Sequence, residues 1–167
     1  MSNTHQKQAF DGAPSDNLYA VDIANHWDVG YSMFNDRQTF LAHFIEADIV
    51  HPNPNLTSLS NTVDIIYISK VFHQWDWETQ LAALRSTIAF SGPSSMVVGF
   101  HAAAVGAGFV GYERDGLTMW LHDEESWMKI WEEVGRETGT EWDAGHVVLR
   151  DITELANSPE SLAYLDE

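Results

Sequence analysis

The chain has 167 residues, 44% apolar and 20% charged, and its 25 acidic side chains against 8 basic ones leave a formal net charge of -17. A surface this acidic repels phosphate backbones and anionic lipid, because binding either takes clustered Lys and Arg to displace counterions; neither nucleic acid nor a membrane is expected as a partner. The complete lack of cysteine excludes a disulfide scaffold, a thiolate metal site and a cysteine nucleophile, and sets a cytoplasmic location as the expectation.

At this length roughly two thirds of the unfolded surface can be buried, so a single domain over residues 1–167 is expected. Its first stretch, residues 1–17, is polar and has neither the basic nor the apolar region of a secretory signal. The most apolar stretch, Met96 to Tyr112, is shorter than the roughly 20 residues of a membrane span and contains His101 and four glycines.

In chain order, LYAVDI (Leu18–Ile23), FIEADIV (Phe44–Val50) and VDIIYI (Val63–Ile68) are short runs rich in β-branched and aromatic residues and read as strands. Asp76 then caps a predicted helix whose Trp77, Leu81, Leu84 and Ile88 share one face, with Gly92-Pro93 as its stop. SMVVGF (Ser95–Phe100) is the next predicted strand. Further on, Asp123 caps a second helix with Glu124 and Glu125 in its first turn, a stripe of Trp127, Ile130, Trp131 and Val134, and Gly139 as its stop. HVVLRDI (His146–Ile152) closes the series as a strand. Strands alternating with helices predict an α/β fold with a largely parallel sheet covered on both faces, and Val63–Ile68 suits its centre.

Gly106-Ala107-Gly108-Phe109-Val110-Gly111 is a literal GxGxxG. A dinucleotide loop needs a helix N-terminus directly behind the glycines to face the pyrophosphate. Here Asp115-Gly116 follows, and the flanking FVGYER and LTMWLH alternate as in a hairpin, which is the reading adopted.

Asp22 and Asp48 fall at the C-terminal ends of consecutive strands, where open α/β sheets bind ligands. A carboxylate there can accept bonds from both hydroxyls of a ribose, or can simply cap its own loop. Ser69 to Trp77 (SKVFHQWDW), directly after the expected central strand, is the densest set of functional side chains. His73 has the pKa range of a general base, and Trp75 and Trp77 can wall an apolar substrate; equally, the histidine can bond a backbone carbonyl and the tryptophans fill the core. No HExxH and no GxSxG occurs, so neither a metal site nor a hydrolase is expected.

Across LYAVDI, FIEADIV, VDIIYISKVFHQWDW and MWLHDEESWMKIWEEVGRETGTEW, the chain resembles the class I S-adenosylmethionine-dependent methyltransferases of fungal secondary metabolism, which tailor polyketides, terpenoids and meroterpenoids. The resemblance implies a Rossmann-like sheet, with S-adenosylmethionine as cofactor and a small-molecule natural product as the O- or C-methyl acceptor. It implies that Asp22 holds the cofactor ribose with Ile23 beside the adenosine, and that Asp48 and Ile49 lie by the adenine. It places Ser69 to Trp75 at the methyl-transfer centre, with Ser69 toward the cofactor, His73 as base and Trp75 toward substrate.

Against the family pattern, the glycine-rich loop and first strand have no counterpart ahead of Phe10, and the end is short, so the sheet is expected to be truncated at both ends. Strands left without a neighbour lead to an expected homodimer or other self-association. The alternative function is a degenerate methyltransferase fold that binds a partner or acts as a cofactor-free isomerase or cyclase.

Overall fold

The computed structural model describes residues 4–51, 53–111 and 118–144. They fall into two units, one drawn from residues 4–68 and 78–99, the other from 69–77 and 100–144.

The first unit runs α1 (Thr4–Phe10), β1 (Tyr19–Asp22), α2 (Trp27–Phe34), β2 (His43–Glu46), β3 (Val63–Tyr67), most of α3 (Trp77–Phe90) and β4 (Ser91–Val98). β1 pairs with β2 in parallel, Tyr19 opposite His43 and Asp22 opposite Glu46. β3 pairs with β4, also in parallel. Val21, Ile45, Val63 and Ile66 pack on a core of Ala47, Leu56, Leu59 and Phe90, the irregularity between Val63 and Ile65 bringing two β3 residues three apart to the same side. A second aromatic group gathers around Trp27, whose ring stacks on Phe40 at 5.5 Å and meets Tyr31 edge-on at 5.6 Å.

One expectation about the sheet is corrected here. The parallel sheet was expected to be covered on both faces, yet Ile65 and Tyr67 with their cross-strand partners Met96 and Val98 form an exposed apolar face, Ile65 being 64% exposed. Among the described residues β3 has β4 as its only strand neighbour.

Gly92-Pro93 was expected to stop the helix and precede a strand from Ser95. Instead α3 ends at Phe90 and β4 begins at Ser91 with no loop between them. The carbonyls of Ala89 and Phe90 accept the N–H groups of Asn61 and Thr62, and the Ser91 hydroxyl donates to Ile88 O at 2.7 Å, so the helix end is satisfied without a turn. Gly92 to Ser94 then form an irregularity in which the pairing slips from Val63–Ser91 to Ile65–Met96. Proline is tolerated at such a bulge.

The second unit holds the segment 69–77, the hairpin β5 (Gly108–Gly111) and β6 (Thr118–Leu121), and α4 (Glu124–Thr138). β5 and β6 are antiparallel, as the glycine-rich segment was read; the turn at Asp115-Gly116 lies outside the described residues, as does the expected strand His146–Ile152.

α4 follows its sequence signals closely. Asp123 accepts Ser126 N–H at 2.9 Å while the Ser126 hydroxyl accepts Asp123 N–H at 3.1 Å, a reciprocal capping box. Gly139 ends the helix in the left-handed region at φ 70. Ile130, Trp131 and Val134 are buried. No helix among the described residues is long and apolar enough to cross a membrane.

Candidate functional site

In the first unit, the carboxylate of Asp22 closes β1. It is exposed, and its Oδ1 accepts Ala24 N–H at 3.2 Å, which turns the chain away from the strand end. Ile23 beside it is 72% exposed. Asp48 lies two residues beyond β2, with Oδ1 accepting Val50 N–H at 2.9 Å and Oδ2 paired to His51 Nδ1 at 2.8 Å. The bond to His51 holds the Asp48 carboxyl below the usual carboxylate range. Ile49 packs against the core of this unit.

Both aspartates therefore make the local capping contact, and they differ in what remains. An exposed carboxylate with one oxygen engaged by a local amide fits a vicinal diol, which brings two donors. Asp48 has both oxygens engaged already, which leaves it fewer free acceptor positions than Asp22.

In the second unit, the segment after β3 opens with Ser69, and Lys70 takes a left-handed conformation at φ 58, unusual for a side chain with a Cβ. Lys70 N–H donates to Phe100 O at 2.9 Å, and its carbonyl accepts from the Gln74 side chain. This reversal leads into a single 3-10 turn, Phe72–Gln74, which buries Phe72 completely and leaves His73 and Trp75 half-buried.

Trp75 is fixed by its backbone: its carbonyl accepts Trp120 N–H at 3.0 Å, and its ring meets Phe72 edge-on at 6.0 Å. Trp77 donates its indole N–H to Glu133 Oε2 at 3.1 Å. His73 Nδ1 is buried with no hydrogen-bond partner, so the expected carbonyl contact is not made at that atom. Burial pushes its pKa down, which keeps the imidazole neutral and able to accept a proton at neutral pH.

Sequence reading did not find the rings around this segment. His101 lies 6.3 Å from His73 and 5.1 Å from Phe72, and His122 lies 5.3 Å from Trp127 and 5.5 Å from Trp77. No group of acidic, histidine or cysteine side chains among the described residues is arranged to hold a metal ion.

The chain is 33% identical to the O-methyltransferase phiE of a fungal species over 84% of its own length, and 33% identical to the Asnovolin E/Chermesin D methyltransferase nvfJ of Aspergillus novofumigatus over 82%. It is 32% identical to the O-methyltransferase atr3 of Stereocaulon alpinum, also over 82% of its length.

Over most of its length the chain is similar to methyltransferases of fungal secondary metabolism.

The chain spans about half the length of the relatives it matches, 48% of the first and 51% of the second. No protein-family model matches it.

Proposed function

We propose that this chain carries the ribose-holding and acceptor-facing parts of an S-adenosylmethionine-dependent methyltransferase. Its acceptor is a small-molecule natural product of fungal secondary metabolism, methylated in the cytoplasm at oxygen or carbon. The observation that carries the reading is the exposed Asp22 carboxylate at the C-terminal end of a parallel strand, in a chain whose relatives are named methyltransferases. Two parallel pairs, β1–β2 and β3–β4, support a Rossmann-like class I sheet as the finer description of the fold.

S-adenosylmethionine, when bound, supplies an electrophilic methyl group. Asp22 accepts the ribose hydroxyls, with the exposed Ile23 offering apolar surface to the adenosine. Asp48 and Ile49 serve the adenine end, Asp48 as a hydrogen-bond acceptor. Ser69 begins the segment assigned to the transfer centre, Trp75 offers substrate a ring whose backbone is anchored to β6, and neutral His73 takes the proton of the acceptor. Most of the rate enhancement then comes from holding two reactants in line. Self-association is part of the proposal, supported by the apolar face of Ile65, Tyr67, Met96 and Val98.

The test is incubation with S-adenosylmethionine bearing a radiolabelled methyl group and a panel of fungal polyketide and meroterpenoid intermediates. Label in the organic extract that is lost in Asp22→Ala supports the reading. Label that never leaves the cofactor with any acceptor overturns it.

A further inference from the structure

No step of methyl transfer uses His51, which stands at the strand ends of the first unit. Asp22 closes β1, and Asp48 lies two residues past β2, the strand paired beside it. Adjacent strands run about 4.8 Å apart, so a nucleoside whose ribose rests on Asp22 carries its base toward the end of β2. There Asp48 and His51 form a joined pair, with His51 Nδ1 bonded to Asp48 Oδ2 at 2.8 Å and Asp48 Oδ1 accepting Val50 N–H at 2.9 Å. The His51 side chain is 76% exposed.

That bond fixes the chemistry of the imidazole. A carboxylate only accepts, so the proton of the uncharged ring sits on Nδ1, and Nε2 on the far side of the ring is left as a bare acceptor. Asp48 has spent one position on each oxygen, whereas Nε2 makes no hydrogen bond among the described residues.

We propose that His51, its tautomer set by Asp48, is a specificity-determining residue for the cofactor base: Nε2 accepts a bond from the 6-amino group of adenine and disfavours a 6-oxo purine. The proposal rests on the assignment of Asp22 to the ribose. A 6-oxo base would bring a second acceptor to a bare nitrogen, and a site built to bond one group rejects the analogue that lacks it. Protonation reverses the sense, because Nε2 then donates and suits an oxygen better than an amino group. The preference for the amino base therefore weakens as pH falls.

Asp48 is the charged group bonded to His51. The 3-10 turn that follows, Pro54–Leu59, carries no titratable side chain. On β2 the titratable groups are Glu46 and His43, and the His43 ring is stacked on Tyr19 at 4.7 Å with its Nε2 on Asp16 O at 3.0 Å. His26, just ahead of α2, is the other imidazole that follows a strand end in this unit.

The test is calorimetric titration of the full chain with S-adenosylhomocysteine and with S-inosylhomocysteine, which carries oxygen in place of the amino group, at about pH 8 and about pH 5.5. The unaltered chain is expected to favour the amino compound about tenfold at the higher pH, and that ratio is expected to fall about fivefold at the lower one. In His51→Ala, which removes an exposed side chain, the ratio should no longer change with pH. A ratio that changes equally in His51→Ala assigns the effect to another group such as His26 and overturns the proposal. A ratio in the unaltered chain that pH does not move, or equal binding of the two compounds, also overturns it while leaving the Asp22 assignment standing. Binding of neither compound by the unaltered chain overturns the Asp22 assignment and this proposal with it.

Discussion

A Cβ placed on Gly99 would stand 1.6 Å from the carbonyl oxygen of Ile68, far inside any real contact. Ile68 N–H also donates to Val98 O at 2.9 Å, so the ends of β3 and β4 are drawn together at the point where the chain leaves for the segment 69–77. Gly99→Ala must therefore shift backbone and is expected to cost at least the roughly 1–3 kcal/mol of an overpacked core. Urea unfolding checks it, with Gly108→Ala, which meets nothing within 4 Å, as the control. Equal midpoints in the two variants would contradict the close approach.

Gly135 gives a prediction of sign. In an ordinary helix interior Gly→Ala stabilises by about 1 kcal/mol. Here a Cβ would lie 2.7 Å from Thr140 O, and Thr140 N–H donates back to Gly135 O at 3.0 Å, closing the loop after α4 onto the helix. Gly135→Ala is expected to lower the thermal midpoint, and a raised midpoint would show that the loop does not pack there.

What could be read in the sequence was local. The capping of α4 by Asp123, its stop at Gly139 and the buried stripe between them follow from residues a few positions apart. The glycine-rich segment was legible as a hairpin because alternation and an Asp-Gly turn signal outweigh a bare motif. The start of β4 was not legible. Gly92-Pro93 is a stop signal in isolation, and only the slip in pairing with β3 makes it a bulge. The rings of His101 and His122 were missed for a similar reason: His101 meets His73 and Phe72, and His122 meets Trp77, partners from distant parts of the chain that no local pattern marks. Asp22 and Asp48 were legible as strand-end acids, but that His51 takes one oxygen of Asp48 required the folded turn.

The exposed face of Ile65, Tyr67, Met96 and Val98 is expected to drive self-association, since parallel strands are rarely left open to water on an apolar side. Sedimentation velocity should show a dimer or larger species, and Ile65→Lys with Met96→Glu should shift it toward monomer without lowering the thermal midpoint. A chain that sediments as a monomer at every concentration would contradict this.

His73→Ala is expected to lower methyl transfer about 100-fold while leaving cofactor affinity almost unchanged, because a general base acts in the transition state and not on the bound cofactor. Single-turnover rates beside equilibrium binding separate the two quantities. A variant that transfers methyl at the unaltered rate removes His73 from the mechanism.

Calorimetric titration of the chain with S-adenosylmethionine, alongside Asp22→Ala, tests the central claim most directly. Asp22 is exposed and its local bond is to Ala24 N–H, so its removal should leave the fold intact. The loss of charge-assisted bonds worth roughly 1.5–3 kcal/mol should weaken binding at least about tenfold. Saturable binding by the unaltered chain with that loss in the variant is the expected result; binding of equal strength in both, or heat from neither, would contradict the assignment of Asp22 to the cofactor.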